Sequence, residues 1–117
     1  MEFKNNPSES AVITVDTNDD DVVWLISSSL SKLLEAADRI GQNFGMFPGE
    51  ANRLLHDNLG KGHYEIRPEG NYGMWLKQQR DGSYLLNIDN RNSRGHKPMA
   101  ERLHEVVNSA LKRDSDS

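Results

Sequence analysis

The stretch Met74-Trp75-Leu76-Lys77-Gln78-Gln79-Arg80-Asp81-Gly82-Ser83-Tyr84-Leu85-Leu86-Asn87-Ile88-Asp89 decides the fold. Two strand-like runs flank an Asp-Gly pair, which marks a hairpin. A two-residue turn at Asp81-Gly82 would scatter apolar and polar side chains over both faces. A three-residue loop, Arg80-Asp81-Gly82 with Gly82 in the left-handed conformation, sorts them. It aligns Met74 with Ile88, Leu76 with Leu86 and Gln78 with Tyr84 on one face. Trp75, Lys77, Gln79, Leu85, Asn87 and Asp89 then share the other. A one-residue slip would reverse every side chain, so the pattern selects the three-residue loop.

Upstream of the hairpin, Tyr64 and Ile66 alternate with His63, Glu65 and Arg67, which predicts a third strand ended by Pro68-Glu69-Gly70-Asn71. Downstream, a polar loop over 90–96 leads to a helix from about Pro98 to Arg113. Its stripe is Met99, Leu103, Val106, Val107 and Ala110, opposed by Glu101, Glu105, Asn108 and Lys112. Nearer the N-terminus, Val23, Ile26, Leu30, Leu33, Leu34, Ala37 and Ile40 recur at helical spacing, with Gly41 as the stop and the acids at 19–21 favouring the helix start. A shorter helix is expected at 49–59, opened by Pro48 and closed by Gly60. Ala11 to Val15 is β-branched and short, an edge strand.

These elements predict an α+β fold: a small antiparallel three-stranded meander with an extra N-terminal edge strand, packed on one face by two to three helices, in the order (β)ααβββα. One domain over 11–113 is expected, with polar tails at 1–10 and 114–117. The αβββα portion is similar in order to double-stranded-RNA-binding domains. Their basic helix-start signature is broken here by Pro98 and Glu101, so the likeness is one of topology.

With 117 residues and a formal net charge of −4, the chain does not resemble a generic nucleic-acid-coating protein. The charge is uneven. Residues 1–21 carry six acids and one base, whereas 61–102 carry eight bases and five acids. Cysteine is absent, which excludes disulfides, thiol catalysis and thiolate metal sites. The first residues lack an apolar core of the secretory kind, and no apolar run approaches the roughly 18 residues of a membrane helix, so a cytoplasmic location and no membrane partner are expected.

The chemical motifs are fragments. Ser29-Leu30-Ser31-Lys32 matches the S-x-x-K of serine acyl-enzymes without their other elements. Asp16, Asn18 and Asp20 match the first calcium-loop ligands, but Asp21 stands where glycine is needed and Ser27 where glutamate is needed. Glu101-x-x-His104 is a single copy of a motif that di-iron bundles use twice. His56, His63, His96 and His104 have no close ligand spacing. No cofactor, metal site or catalytic set is therefore expected.

What remains are residues out of place. Trp75 and Leu85 lie on the outer hairpin face among Lys77, Gln79 and Asn87, the setting of a contact surface. Trp24 lies about 150° from the apolar stripe of the first predicted helix. Arg91, Arg94, His96 and Lys97 crowd a helix start, where the macrodipole disfavours cations and an anion would be welcome. The expected function is a small, non-catalytic intracellular interaction module of the inhibitor, immunity-factor, adaptor or chaperone type. It would bind another protein through Trp75, Lys77, Leu85, Asn87 and Trp24, with a homodimer as one form of such binding. The alternative is a phosphate or nucleic-acid-binding domain that uses Arg91, Arg94, His96 and Lys97 with the Trp75 face. An enzyme ranks third.

Overall fold

The computed structural model describes residues 12–67 and 70–116; the tail expected at 1–10 lies outside them, as does part of the turn expected at Pro68. The chain forms β1 (Thr14–Asp19), β2 (Val22–Ser27), α1 (Leu30–Asn43), α2 (Glu50–Asp57), β3 (Tyr64–Glu65), β4 (Tyr72–Gln78), β5 (Tyr84–Asn90) and α3 (Lys97–Asp116). The strands make one antiparallel sheet in the order β1-β2-β5-β4-β3.

The α+β class and the one-sided helical cover are as expected, but the sheet has five strands where the sequence predicted a three-stranded meander with an extra N-terminal edge strand. The difference lies in Val22–Ser27, which is a strand and not the first turns of a helix. Val22-Val23-Trp24-Leu25-Ile26 is a continuous apolar run, and periodicity cannot separate a buried strand from a helix in so short a window. β-Branched and aromatic content tips it to strand. Trp24 therefore sits on a strand, and its awkward angle on a helical projection was the sign of the wrong period.

The helix begins later. Ser29 is its N-cap, with Oγ accepting the Lys32 amide at 3.2 Å. The Ser29-x-x-Lys32 spacing is thus a capping geometry. The acids at 19–21 are likewise not a helix start; they form the turn between β1 and β2, beside a break in register between Asp16 and Asp19. Gly41 does not end α1 either. It is buried inside the helix, and a Cβ there would stand 2.8 Å from Met46 Sδ and 3.2 Å from the Ala51 Cβ. Its missing side chain lets α2 approach, and the left-handed residue is Gly45, at φ 100°.

The predicted hairpin register holds throughout. Met74 pairs with Ile88, Leu76 with Leu86 and Gln78 with Tyr84. Gly82 has φ 92°, and the loop closes with Gln79 N donating to Ser83 O at 2.7 Å. Val23 and Leu25 pair with Ile88 and Leu86 from the other side of β5. Together with Tyr72, Met74 and Leu76 they form the inner face, sealed by Leu33, Ala37 and Ile40 of α1, Leu55 of α2, and Leu103 and Val107 of α3. Val22, Trp24, Ile26, Trp75 and Leu85 fall outside this cluster, on the opposite face.

Leu76 is buried and Lys77 exposed. Leu76→Ala should cost about 2–5 kcal/mol, and Lys77→Ala less than about 0.5 kcal/mol. Ser29→Ala, which removes the cap, should cost about 1 kcal/mol. Urea denaturation of the three variants measures all of these, and equal losses at 76 and 77 would overturn the register.

Candidate functional site

The outer sheet face takes its shape from three ladder rows. Trp24 pairs with Asn87, which pairs with Trp75, across β2, β5 and β4. The two indoles therefore stand two strand spacings apart, about 10 Å. The next row toward the β4–β5 turn is Ile26, Leu85 and Lys77, and the next in the other direction is Val22, Asp89 and Gly73.

Hydrogen bonds hold the Trp24 end of this row. Asn87 is buried at 4% exposure, between its two tryptophan neighbours. Its Oδ1 accepts the Trp24 Nε1–H at 2.7 Å, and its Nδ2 donates to Asp89 Oδ2 at 3.0 Å. Asp89 Oδ2 also faces His63 Nε2 at 3.1 Å, while Asp89 Oδ1 is buried without a hydrogen-bond partner. A polar chain thus runs from Trp24 to His63 beneath an otherwise apolar surface. Trp24 is 40% exposed, and Trp75 is partly exposed, with the Lys77 ammonium 5.6 Å from its ring centroid. Leu85 is nearly buried and serves as floor.

Of the residues singled out in the sequence, Trp75, Lys77, Leu85, Asn87 and Trp24 come together on this face. Arg91, Arg94, His96 and Lys97 do not form one patch. Arg94 Nη2 pairs with Asp19 Oδ2 at 2.6 Å, so the chain's own acidic turn neutralises part of the basic loop. The start of α3 is occupied in the same way: Gly95 N donates to Asp21 Oδ2 at 3.0 Å. His96 and Lys97 are exposed. Lys97 lines a cleft of about 810 Å³ with Asp20, Asp21, Glu101, His104 and Glu105, a mixed-charge surface away from the tryptophans. Arg91 points elsewhere, its stem lying across Gly73 of β4 beside His63.

His63 and Asp89 are the residues that sequence reasoning missed. A glycine inside a strand, here Gly73, signals close approach by another group, and it was the available clue. Among the described residues no group of three or more His, Asp and Glu gathers as for a metal. No helix of the described chain is long and apolar enough to cross a membrane. No family model, curated protein or solved structure matches this chain.

Two variants test these contacts. Asn87→Ala leaves the Trp24 Nε1–H and Asp89 without their shared partner and should cost about 1–3 kcal/mol, with a red shift of tryptophan emission as the indole loosens. Asp19 accepts the Asp21 amide at 2.8 Å and the Arg94 guanidinium at 2.6 Å; against desolvation, these hold its carboxyl below the ordinary 3.8. A depressed folded value means that its stabilisation is present above 3.8 and lost as pH falls through the lower folded value. Asp19→Asn should therefore flatten the acid limb of the stability–pH profile without changing its neutral plateau shape, as followed by denaturation midpoints.

Proposed function

We propose that the outer sheet face is a docking surface for another protein, with Trp24 and Trp75 as its anchors and Ile26, Leu85 and Lys77 around them. The chain then acts as a non-catalytic interaction module. The observation that carries this reading is the Trp24–Asn87–Trp75 row on the sheet face opposite the helices, in which a hydrogen bond to buried Asn87 fixes Trp24. An anchor fixed before binding loses little side-chain entropy when a partner docks, so more of the burial energy appears as affinity. Tryptophan is also the residue most enriched at such hot spots.

The chemistry of the face favours protein over nucleic acid. Val22 and Ile26 present aliphatic surface in the rows flanking the rings, over a floor of Leu85, and charges of both signs border it: Lys77 and Arg91 against Asp16 and Glu65. A strand of nucleic acid requires a predominantly cationic track for its phosphates.

The test is capture of the partner from native lysate by the full chain, with and without nuclease, followed by binding measurements with purified components. Trp75→Ala and Trp24→Ala should each cost 2 kcal/mol or more of binding, about thirtyfold in affinity, while leaving the folded signal intact. Affinity should change little between low and moderate salt. Nuclease-sensitive capture with a steep salt dependence would replace this reading with nucleic-acid binding, and full affinity in both tryptophan variants would remove the face from consideration.

A further inference from the structure

We propose that Arg91 and His63 form a binding site for a phosphate group at the β3 edge of the sheet. This inference does not depend on the docking reading: Arg91 only borders that face, neither residue is one of its tryptophan anchors, and the test needs no partner.

The site is built around Gly73. This residue has no left-handed backbone to justify glycine. What it provides is space. A Cβ there would collide with the Arg91 Cδ and stand 3.0 Å from His63 Nε2. Any side chain at 73 would push the Arg91 and His63 side chains apart, and glycine lets both lie on the strand together.

Both side chains keep unused bonding capacity. His63 Nε2 is committed to Asp89 Oδ2 at 3.1 Å, which fixes the ring and leaves Nδ1 without a partner among the described residues. The Arg91 guanidinium has no hydrogen bond or ion pair among the described residues, although its backbone N–H is bound to Asn71 O at 2.9 Å. Both residues line a cleft of about 480 Å³, with Arg67 and Asn92 at its rim.

Among the described residues, each acid near this cleft has a hydrogen-bond or ion-pair partner. Glu65 Oε1 faces Arg67 Nη2 at 3.4 Å and its Oε2 accepts Asn92 Nδ2 at 3.4 Å. Glu50 Oε1 accepts the Phe47 amide at 3.0 Å. Asp89 is held by His63 and Asn87. Among the described residues, Arg91 is the arginine lining the cleft that has no acidic partner, since Arg67 faces Glu65, and its planar fork matches phosphate oxygens. A phosphate also suits His63 in either protonation state: the imidazolium donates to P–O⁻, and the neutral ring accepts from P–OH.

The experiment is titration of the full chain with inorganic phosphate at constant ionic strength and pH, followed by amide chemical shifts. Saturable shifts should centre on His63, Gly73 and Arg91. Arg91→Gln should weaken binding at least fivefold with unchanged stability, and His63→Ala should weaken it as well, with some loss of stability because Asp89 loses a partner. Gly73→Ala should abolish it while circular dichroism shows the same fold. Should Gly73→Ala fail to fold, the comparison of Arg91→Gln with Arg91→Lys decides, because lysine keeps the charge but loses the fork and should be intermediate. No saturable shift, equal binding by Arg91→Gln, or shifts centred on residues 95–97 at the start of α3 would each overturn the proposal.

Discussion

The pairing of β2 with β5 is the contact on which the remaining architecture depends. It brings Val23 and Leu25 beside Ile88 and Leu86, and so completes the apolar floor on which α1 and α3 rest. The same ladder sets Trp24 against Asn87 on the other side. Strand alternation makes these two results inseparable: whatever register buries Val23 and Leu25 must turn Val22, Trp24 and Ile26 outward. The outer face is thus a direct consequence of core formation. Its tryptophans cannot be withdrawn by a shift of the strand without exposing the core.

The β4–β5 hairpin was legible from sequence because alternation and turn chemistry pointed to one register, and a strand period over seven residues leaves few alternatives. α3 was legible for the equivalent reason, since its stripe persists over several turns. The N-terminal third was misread where two periods overlap. Leu30 to Ile40 is helical, and Val23 and Ile26 extend that spacing by coincidence. Only Trp24, placed on the polar side of the projected helix, and the serines at 27–29, with their capping chemistry, argued otherwise. A strand that finds its partner some sixty residues away leaves no local mark of that pairing.

The surface was legible in part. Trp75, Leu85 and Asn87 followed from the hairpin register alone. Trp24 joined them for a reason that sequence could not supply, namely the β2–β5 ladder. The basic cluster at 91–97 looked like one feature because its members are close in sequence. In space, Arg94 turns to Asp19 and Arg91 turns to Gly73, on opposite sides of the loop. Proximity along a loop says little about which face a long side chain will occupy, whereas neighbours in a sheet share a face by geometry.

Asp21 fastens two distant parts of the molecule. Its carboxylate accepts the Asn90 side-chain amide at 2.8 Å and the Gly95 backbone N–H at 3.0 Å, and its carbonyl accepts the Asn90 backbone N–H at 2.8 Å. Next to it, the Asp20 carbonyl meets His104 Nε2 at 2.9 Å. The β1–β2 turn is thereby clasped to the end of β5 and to the first turns of α3. Asp21 carries several of these bonds on one carboxylate and carbonyl, and the Asn90 side-chain bond is buried, so opening that residue releases them together. The hairpin and the closing helix are therefore expected to open as a single cooperative unit, and slow amide hydrogen exchange should be shared between Asn90 and Gly95. A loosened α3 would then be felt in β2, and through β2 in the orientation of Trp24.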